Sequence, residues 1–244
     1  PDIAAFEDGG YVIVANDSAR DNDGLAVTAS LVSAAGDVEE VPVNTNWQGD
    51  QLDPAVAVLD GGDWVVAFRD SKGKVWTRRF DRQGKPVAGR VERSLSASAT
   101  GDQSDPVAAI NGSTVAVAYT SPRYASGDTD IMIRAFSTDG TPMGDEVLLT
   151  EPSPLNEGDP ALAAAPQGFL AAWRQGTNRV GIFARMIDHG GNPVGDEMEL
   201  RFLDNAPGAP AVAVTSGGFA LVAWDDGHDG AVHPVQYRLI DKLG

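Results

Sequence analysis

The sequence predicts an all-β fold, a five-bladed β-propeller built of four-stranded antiparallel blades. Three observations carry this. A block of about 50 residues recurs five times, each block reads as four short strands, and no stretch has helical periodicity. The recurring start is Gly49-Asp50-Gln51-Leu52-Asp53-Pro54-Ala55-Val56-Ala57, then Gly101-Asp102-Gln103-Ser104-Asp105-Pro106-Val107-Ala108-Ala109. It returns as Glu157-Gly158-Asp159-Pro160-Ala161 and Ala209-Pro210-Ala211, and the chain opens on Pro1-Asp2-Ile3-Ala4. The prolines fall at 1, 54, 106, 160 and 210, giving spacings of 53, 52, 54 and 50 residues. A solenoid rung would be roughly 20–29 residues, and a β-sandwich would not repeat its own sequence.

The units run 1–53, 54–105, 106–159, 160–209 and 210–244, forming a single domain, and the second serves as template. Strand A, residues 55–59, is small and apolar and follows Asp-Pro; proline lacks an N–H and is expected at the first residue of a strand. Asp60-Gly61-Gly62 is a tight-turn signal. Strand B, residues 64–68, is β-branched and aromatic throughout, as expected of a strand buried on both faces. Its last aromatic, Phe68, recurs as Tyr119, Trp173 and Trp224, with Ala15 the exception. Strand C, residues 75–80, matches 131–136, 182–187 and 235–240. A Gly-x-Pro turn then leads to a polar outer strand D, expected around 144–146 and 195–197, where charge is tolerated. The alternating alanines of strand A (Ala55, Ala57, Ala108, Ala163, Ala211, Ala213) suit five inner strands crowding an axis. In the last unit Arg238 matches Arg78 and Gly244 matches Gly84, so that blade is expected to lack its outer strand. An open edge on Val235–Ile240 then implies a fragment of a longer polypeptide or a partner strand covering the edge.

Taken together, Gly-Asp-Gln-x-x-Pro-x-Val-Ala, a Gly-Gly-aromatic turn, Val-Val-Ala-aromatic and Arg-x-Phe-Asp-x-x-Gly resemble a propeller-type tandem repeat of large secreted bacterial proteins. Those proteins often also carry calcium-binding glycine-rich repeats or adhesin modules. The resemblance covers nearly the whole chain. It implies export and calcium-rich surroundings, and it carries over no catalytic residue.

Composition narrows the partners. Thirty-five acidic against eighteen basic residues give a net charge of −17. That disfavours nucleic acid, whose phosphates need Lys and Arg patches. It suits divalent cations, or simple solubility in a salty extracellular medium. No cysteine is present, which excludes a disulfide framework and thiol catalysis. No apolar run is long enough to span a membrane, and no charged-then-apolar leader is present. The first residue is Pro1, as expected of a processed or excised piece.

Oxygen-rich loops between strands B and C are the candidate metal sites: Asp17, Asp21 and Asp23; Asp128 and Asp130; Asp225, Asp226 and Asp229. Alternating Asp and Asn around a glycine turn can wrap a hard cation such as calcium, and the same residues also simply favour turns. At the Asp-Pro corners, Asp53, Asp105 and Asp159 are expected to ring one channel mouth. Asp50, Gln51, Asp102 and Gln103 stand beside them as candidate ligand contacts for a cation or sugar. The alternative is that each Asp caps its own turn. Trp47, which breaks the repeat in a Thr-Asn-Trp-Gln loop, is a candidate sugar- or protein-binding aromatic, whereas Trp76 is expected to fill core. Arg78, Arg134, Arg185 and Arg238 share one strand C position and are expected to pair with carboxylates. His228 and His233 could bind zinc, but no third ligand is evident.

No Gly-x-Ser-x-Gly elbow and no phosphate-binding Gly-rich loop occurs. The expectation is therefore a non-catalytic binding or interaction module of a secreted protein, extracellular or on the cell surface. Its expected ligands are calcium, carbohydrate, or another protein chain at the open edge of the last blade. A polysaccharide-active propeller hydrolase or lyase, with carboxylates from different blades facing one space, is the first alternative. A structural subunit or spacer is the second.

Overall fold

The computed structural model describes all residues except 21–22, 88–92, 96–101, 123–127, 177–179, 204–206, 228–233 and 242–244. Among the described residues nineteen strands form five antiparallel sheets, each in simple sequence order. Blade 1 is β1 (Asp2–Ala5), β2 (Tyr11–Asp17), β3 (Ala26–Val32) and β4 (Val38–Pro42). Blade 2 is β5 (Gln51–Val58), β6 (Trp64–Asp70), β7 (Val75–Phe80) and β8 (Arg93–Ser94). Blade 3 is β9 (Ser104–Asn111), β10 (Thr114–Ser121), β11 (Asp130–Ser137) and β12 (Val147–Leu148). Blade 4 is β13 (Glu157–Ala165), β14 (Gly168–Gln175), β15 (Val180–Ile187) and β16 (Pro193–Leu203). Blade 5 has three strands among the described residues, β17 (Ala211–Val214), β18 (Ala220–Asp225) and β19 (Val235–Ile240). The chain is an all-β, five-bladed propeller.

Blades stack face to face, so the core is divided into four interblade layers. Blades 1 and 2 share Val12, Val14, Val27, Ala29, Val66 and Phe68 with the stacked Trp64–Phe80 pair, whose ring centroids lie 4.2 Å apart. Tyr119, Trp173 and Trp224 fill the same place in the next three layers. This is why strand B reads apolar on both faces: alternate residues belong to different layers. Inner strands touch in the order β1, β5, β9, β13, β17.

Three details differ from expectation. Pro54, Pro106 and Pro160 lie inside strands β5, β9 and β13 rather than at their first residue. Each follows an aspartate in the left-handed region, with φ of 52° at Asp53 and 51° at Asp105 and Asp159. The strand A–strand B register shifts at these corners. The missing N–H of proline is harmless at such a bulge, because the ladder is interrupted there already. In blade 3 the outer strand is the two-residue β12, beyond residues 144–146. The third difference concerns the repeated arginines. Arg134 donates Nη1 to the Leu95 carbonyl at 2.8 Å and Arg185 to Leu149 at 2.9 Å, and Arg78 donates likewise to Val43. These bonds reach main-chain oxygens of the preceding blade, not carboxylates. Such carbonyls lie just past each outer strand, where no ladder satisfies them.

Candidate functional site

The first three links between blades lie against the start of strand C of the blade they leave. Gln51 N–H donates to Leu25 O at 2.7 Å, Gln103 N–H to Gly73 O at 2.8 Å, and Glu157 N–H to Thr129 O at 2.8 Å. These three residues occupy one position of the repeat. The Gln51 side chain is buried and accepts from Asn44 Nδ2 at 2.7 Å while donating to Gly49 O at 2.7 Å. Gln103 is buried too, and its Oε1 accepts the Val75 N–H at 3.1 Å. Both amides therefore work inside the fold, away from solvent.

Glu157 puts a carboxyl where the other two blades carry an amide. It is buried; Oε1 accepts the Ser153 hydroxyl at 2.8 Å, and Oε2 has no hydrogen-bond partner among the described residues. Burial pushes its pKa up to about 8, and the nearby charges of Asp130, Glu197 and Asp128 add to the rise against the opposing Ser153 bond. A carboxyl in that state carries its proton at neutral pH, as a general acid must.

A second break in the repeat falls beside it. In blades 2 and 4 the corner aspartate pairs with an arginine of strand B, Asp53 with Arg69 and Asp159 with Arg174, both at 2.5 Å. In blade 3 the arginine position holds Thr120, so Asp105 lacks that partner. Asp105 Oδ2 accepts only the short-range Ser104 hydroxyl bond at 2.7 Å among the contacts described. The Thr120 hydroxyl is itself buried without a partner among the described residues. Asp105, Thr120, Thr129, Glu157, Asp159 and Arg174 line one open cleft of 430 Å³ between blades 3 and 4. Asp105 of blade 3 and Asp159 of blade 4 thus meet at one cleft, with Glu157 buried in its wall.

Most of the remaining candidates lie elsewhere. Asp50 Oδ1 accepts the Leu25 N–H at 2.9 Å, and Asp102 packs against Gly73, where a Cβ would stand 2.3 Å from the Asp102 Cα. Trp47 is exposed and lines a separate 260 Å³ hollow with Val41, Asn44, Arg78 and Pro86. Trp76 is partly buried against the layer between blades 1 and 2 and donates Nε1 to Asp70 at 3.0 Å. Asp17 caps Ala19 N–H at 2.8 Å, Asp225 caps Gly227 N–H at 2.7 Å, and Asp23 accepts from Gly49 N–H at 3.3 Å. The Asp226 N–H donates to Pro234 O at 3.2 Å. Asp128 and Asp130 lie close enough to Glu157 to act on its charge. Asp21, Asp229, His228 and His233 lie outside the described residues. Among the described residues, no three His, Asp or Glu side chains are arranged to hold a metal ion. Nor is any helix there long and apolar enough to cross a membrane.

Sequence reasoning missed Glu157 and Thr120 because both look ordinary alone. The signal lay in the alignment of the repeat with itself: Gln, Gln, Glu at one position, and Arg, Thr, Arg at another.

No protein-family model matches the chain, and no curated protein matches it in sequence. Solved structures do match in shape. A protein of unknown function from Dyadobacter fermentans aligns with a TM-score of 0.66 at 10% identity, covering 96% of this chain and 76% of that one. An α-L-arabinofuranosidase from Fusarium graminearum gives 0.63 at 11% identity, covering 98% and 79%. An α-L-arabinanase from Penicillium chrysogenum gives 0.63 at 12% identity, covering 98% and 92%. At these identities the likeness is one of fold, and it supports the propeller assignment.

Proposed function

We propose that this chain is a polysaccharide-active propeller hydrolase whose acid is Glu157 and whose second carboxylate is Asp105. The observation that carries the reading is the coincidence of two repeat-breaking substitutions at one cleft. One yields a buried carboxyl with its pKa pushed up to about 8, and the other frees an aspartate from its arginine. Glycoside hydrolysis needs this division of labour, one carboxyl protonated and one ionised. The expectation of a non-catalytic binding module is thereby corrected: it is overturned by likeness to an α-L-arabinanase and an α-L-arabinofuranosidase, which favours the polysaccharide-active alternative.

In the proposed reaction Glu157 passes its proton to the glycosidic oxygen as the anomeric C–O bond breaks. Water forms the new bond to the anomeric carbon, and Asp105 takes the proton that this water loses. Asp159 is held by Arg174 and serves to shape the wall. The neighbours point to arabinofuranosyl linkages as the first substrates to try. A polymeric substrate also fits export, so an extracellular location belongs to the same proposal.

A structural reading has one observation in its favour, namely that Glu157 occupies the position of two structural glutamines. A protonated carboxyl is nearly isosteric with an amide. Reducing-sugar release from arabinan, xylan, galactan and pectin separates the two. Hydrolysis of at least one polymer supports the enzyme, and none leaves Glu157 as a latch between blades.

A further inference from the structure

The first and last blades carry bare apolar faces that the interior blades bury. At one strand C position, Val27, Val75, Ile131 and Ile182 are all 0% exposed, each packed in the layer shared with the following blade. The fifth-blade counterpart, Val235, is 69% exposed. Two residues on, Ala29, Ile133 and Ala184 are 0% exposed and Tyr237 is 65% exposed; Leu239 and Leu221 share that outward face. The register makes these positions equivalent, since Arg78, Arg134, Arg185 and Arg238 pair with matching strand B residues. On blade 1 the face toward a preceding blade is uncovered in the same way. Ile3 is 59% exposed where its counterpart Val56 is 5% exposed, and Tyr11 and Ile13 are half-buried where Trp64 and Val66 are fully buried. Inner-strand contacts run from β1 to β17 in succession, and none of comparable extent joins β17 back to β1 among the described residues.

We infer that one further blade of this repeat, carried by polypeptide adjoining these 244 residues, sits between blade 5 and blade 1 and completes the ring. The two bare faces are the two different halves of the junction that recurs four times inside the chain. Blade 5 offers aliphatic side chains that need a following blade, and blade 1 offers a strand B face that needs a preceding one. Blades 2, 3 and 4 each carry both faces, so one such unit satisfies both ends. A second copy of the chain is a poorer occupant. It would cover one face and leave its own end bare, which builds open assemblies, and each copy brings a net charge of −17 that opposes close approach. A blade tethered by a short link meets the gap at high effective concentration instead.

The test fuses a copy of residues 54–105 ahead of Pro1, which recreates the Asp105–Pro106 junction at the new boundary. The 244-residue chain should be monomeric by sedimentation and should bind the apolar dye ANS. The extended chain should stay monomeric, lose dye binding several-fold and melt at a higher temperature. Introducing Tyr237→Lys should abolish most of that gain in the extended chain while barely changing the melting of the original. Unchanged dye binding and melting on extension would overturn the inference. So would an original chain that dimerises with loss of dye binding, since a second copy would then be the occupant.

Discussion

Glu157 accepts the Ser153 hydroxyl at 2.8 Å through Oε1 and leaves Oε2 buried without a partner among the described residues. The matching oxygen of Gln103 instead accepts a main-chain N–H, that of Val75 at 3.1 Å. One atom type has changed, and burial lets the carboxyl hold its proton near neutrality.

The pH dependence follows from linkage. Glu157 has a folded pKa of about 8 against an ordinary value of 4.5, so between these values the folded state holds a proton that the unfolded chain has lost. Its stabilising contribution is complete below the lower value and disappears as pH rises through the upper one. Urea melts should therefore show stability falling across that window. The Glu157→Gln variant should show a flatter profile and should be the more stable protein at the alkaline end. Glu197, whose pKa burial also raises, leaves a residual slope of the same sign.

Thr120→Arg restores the arginine that blades 2 and 4 carry. The new guanidinium should pair with Asp105 as Arg69 does with Asp53. Activity should then fall by about 10²-fold or more, the scale of a lost general base, while thermal stability stays the same or rises. Paired melting and hydrolysis assays check both halves.

At the bulges, Asp53 has φ 52°, which a β-branched residue adopts only at a cost. Asp53→Val should lose about 1–3 kcal/mol. Asp53→Gly should lose less than about 1 kcal/mol, since glycine relieves the backbone and the exposed Arg69 pair contributes little. Denaturant titration of the two variants gives the comparison.

Interblade arginines should differ by position. Arg134→Met strips the Leu95 carbonyl of its donor and should cost about 1–3 kcal/mol. Arg238→Met, on the exposed edge strand β19, should stay within about 0.5 kcal/mol of wild type.

The fold was legible because a propeller writes its period into the chain: Asp53-Pro54, Asp105-Pro106 and Asp159-Pro160 mark the inner strands, and Phe68, Tyr119 and Trp173 mark the layers between blades. The bulges were not, since nothing in Asp-Pro says that a strand continues through it. The arginine partners were misjudged because a carbonyl leaves no trace in sequence, whereas acidic residues are plentiful. Glu157 escaped for another reason: an acid among thirty-five becomes informative only once its burial is known to hold its proton on, with the nearby charges of Asp130 and Glu197 adding to the effect. Likewise the uncovered faces at Ile3 and Tyr237 depend on which blades meet, and strand patterning gives them the same pattern as buried ones.

The most direct test of the account is the rate of arabinan hydrolysis by the wild-type chain and by Glu157→Gln, measured alongside their melting temperatures. Glutamine is already native at this repeat position in two blades, so the variant should fold as well as wild type. The account predicts that the wild type releases arabinose-containing products, with the rate declining above pH of about 8, and that the variant is slower by about 10²–10⁴-fold. An inactive wild-type chain, or a folded Glu157→Gln variant that cleaves at the wild-type rate, would contradict it.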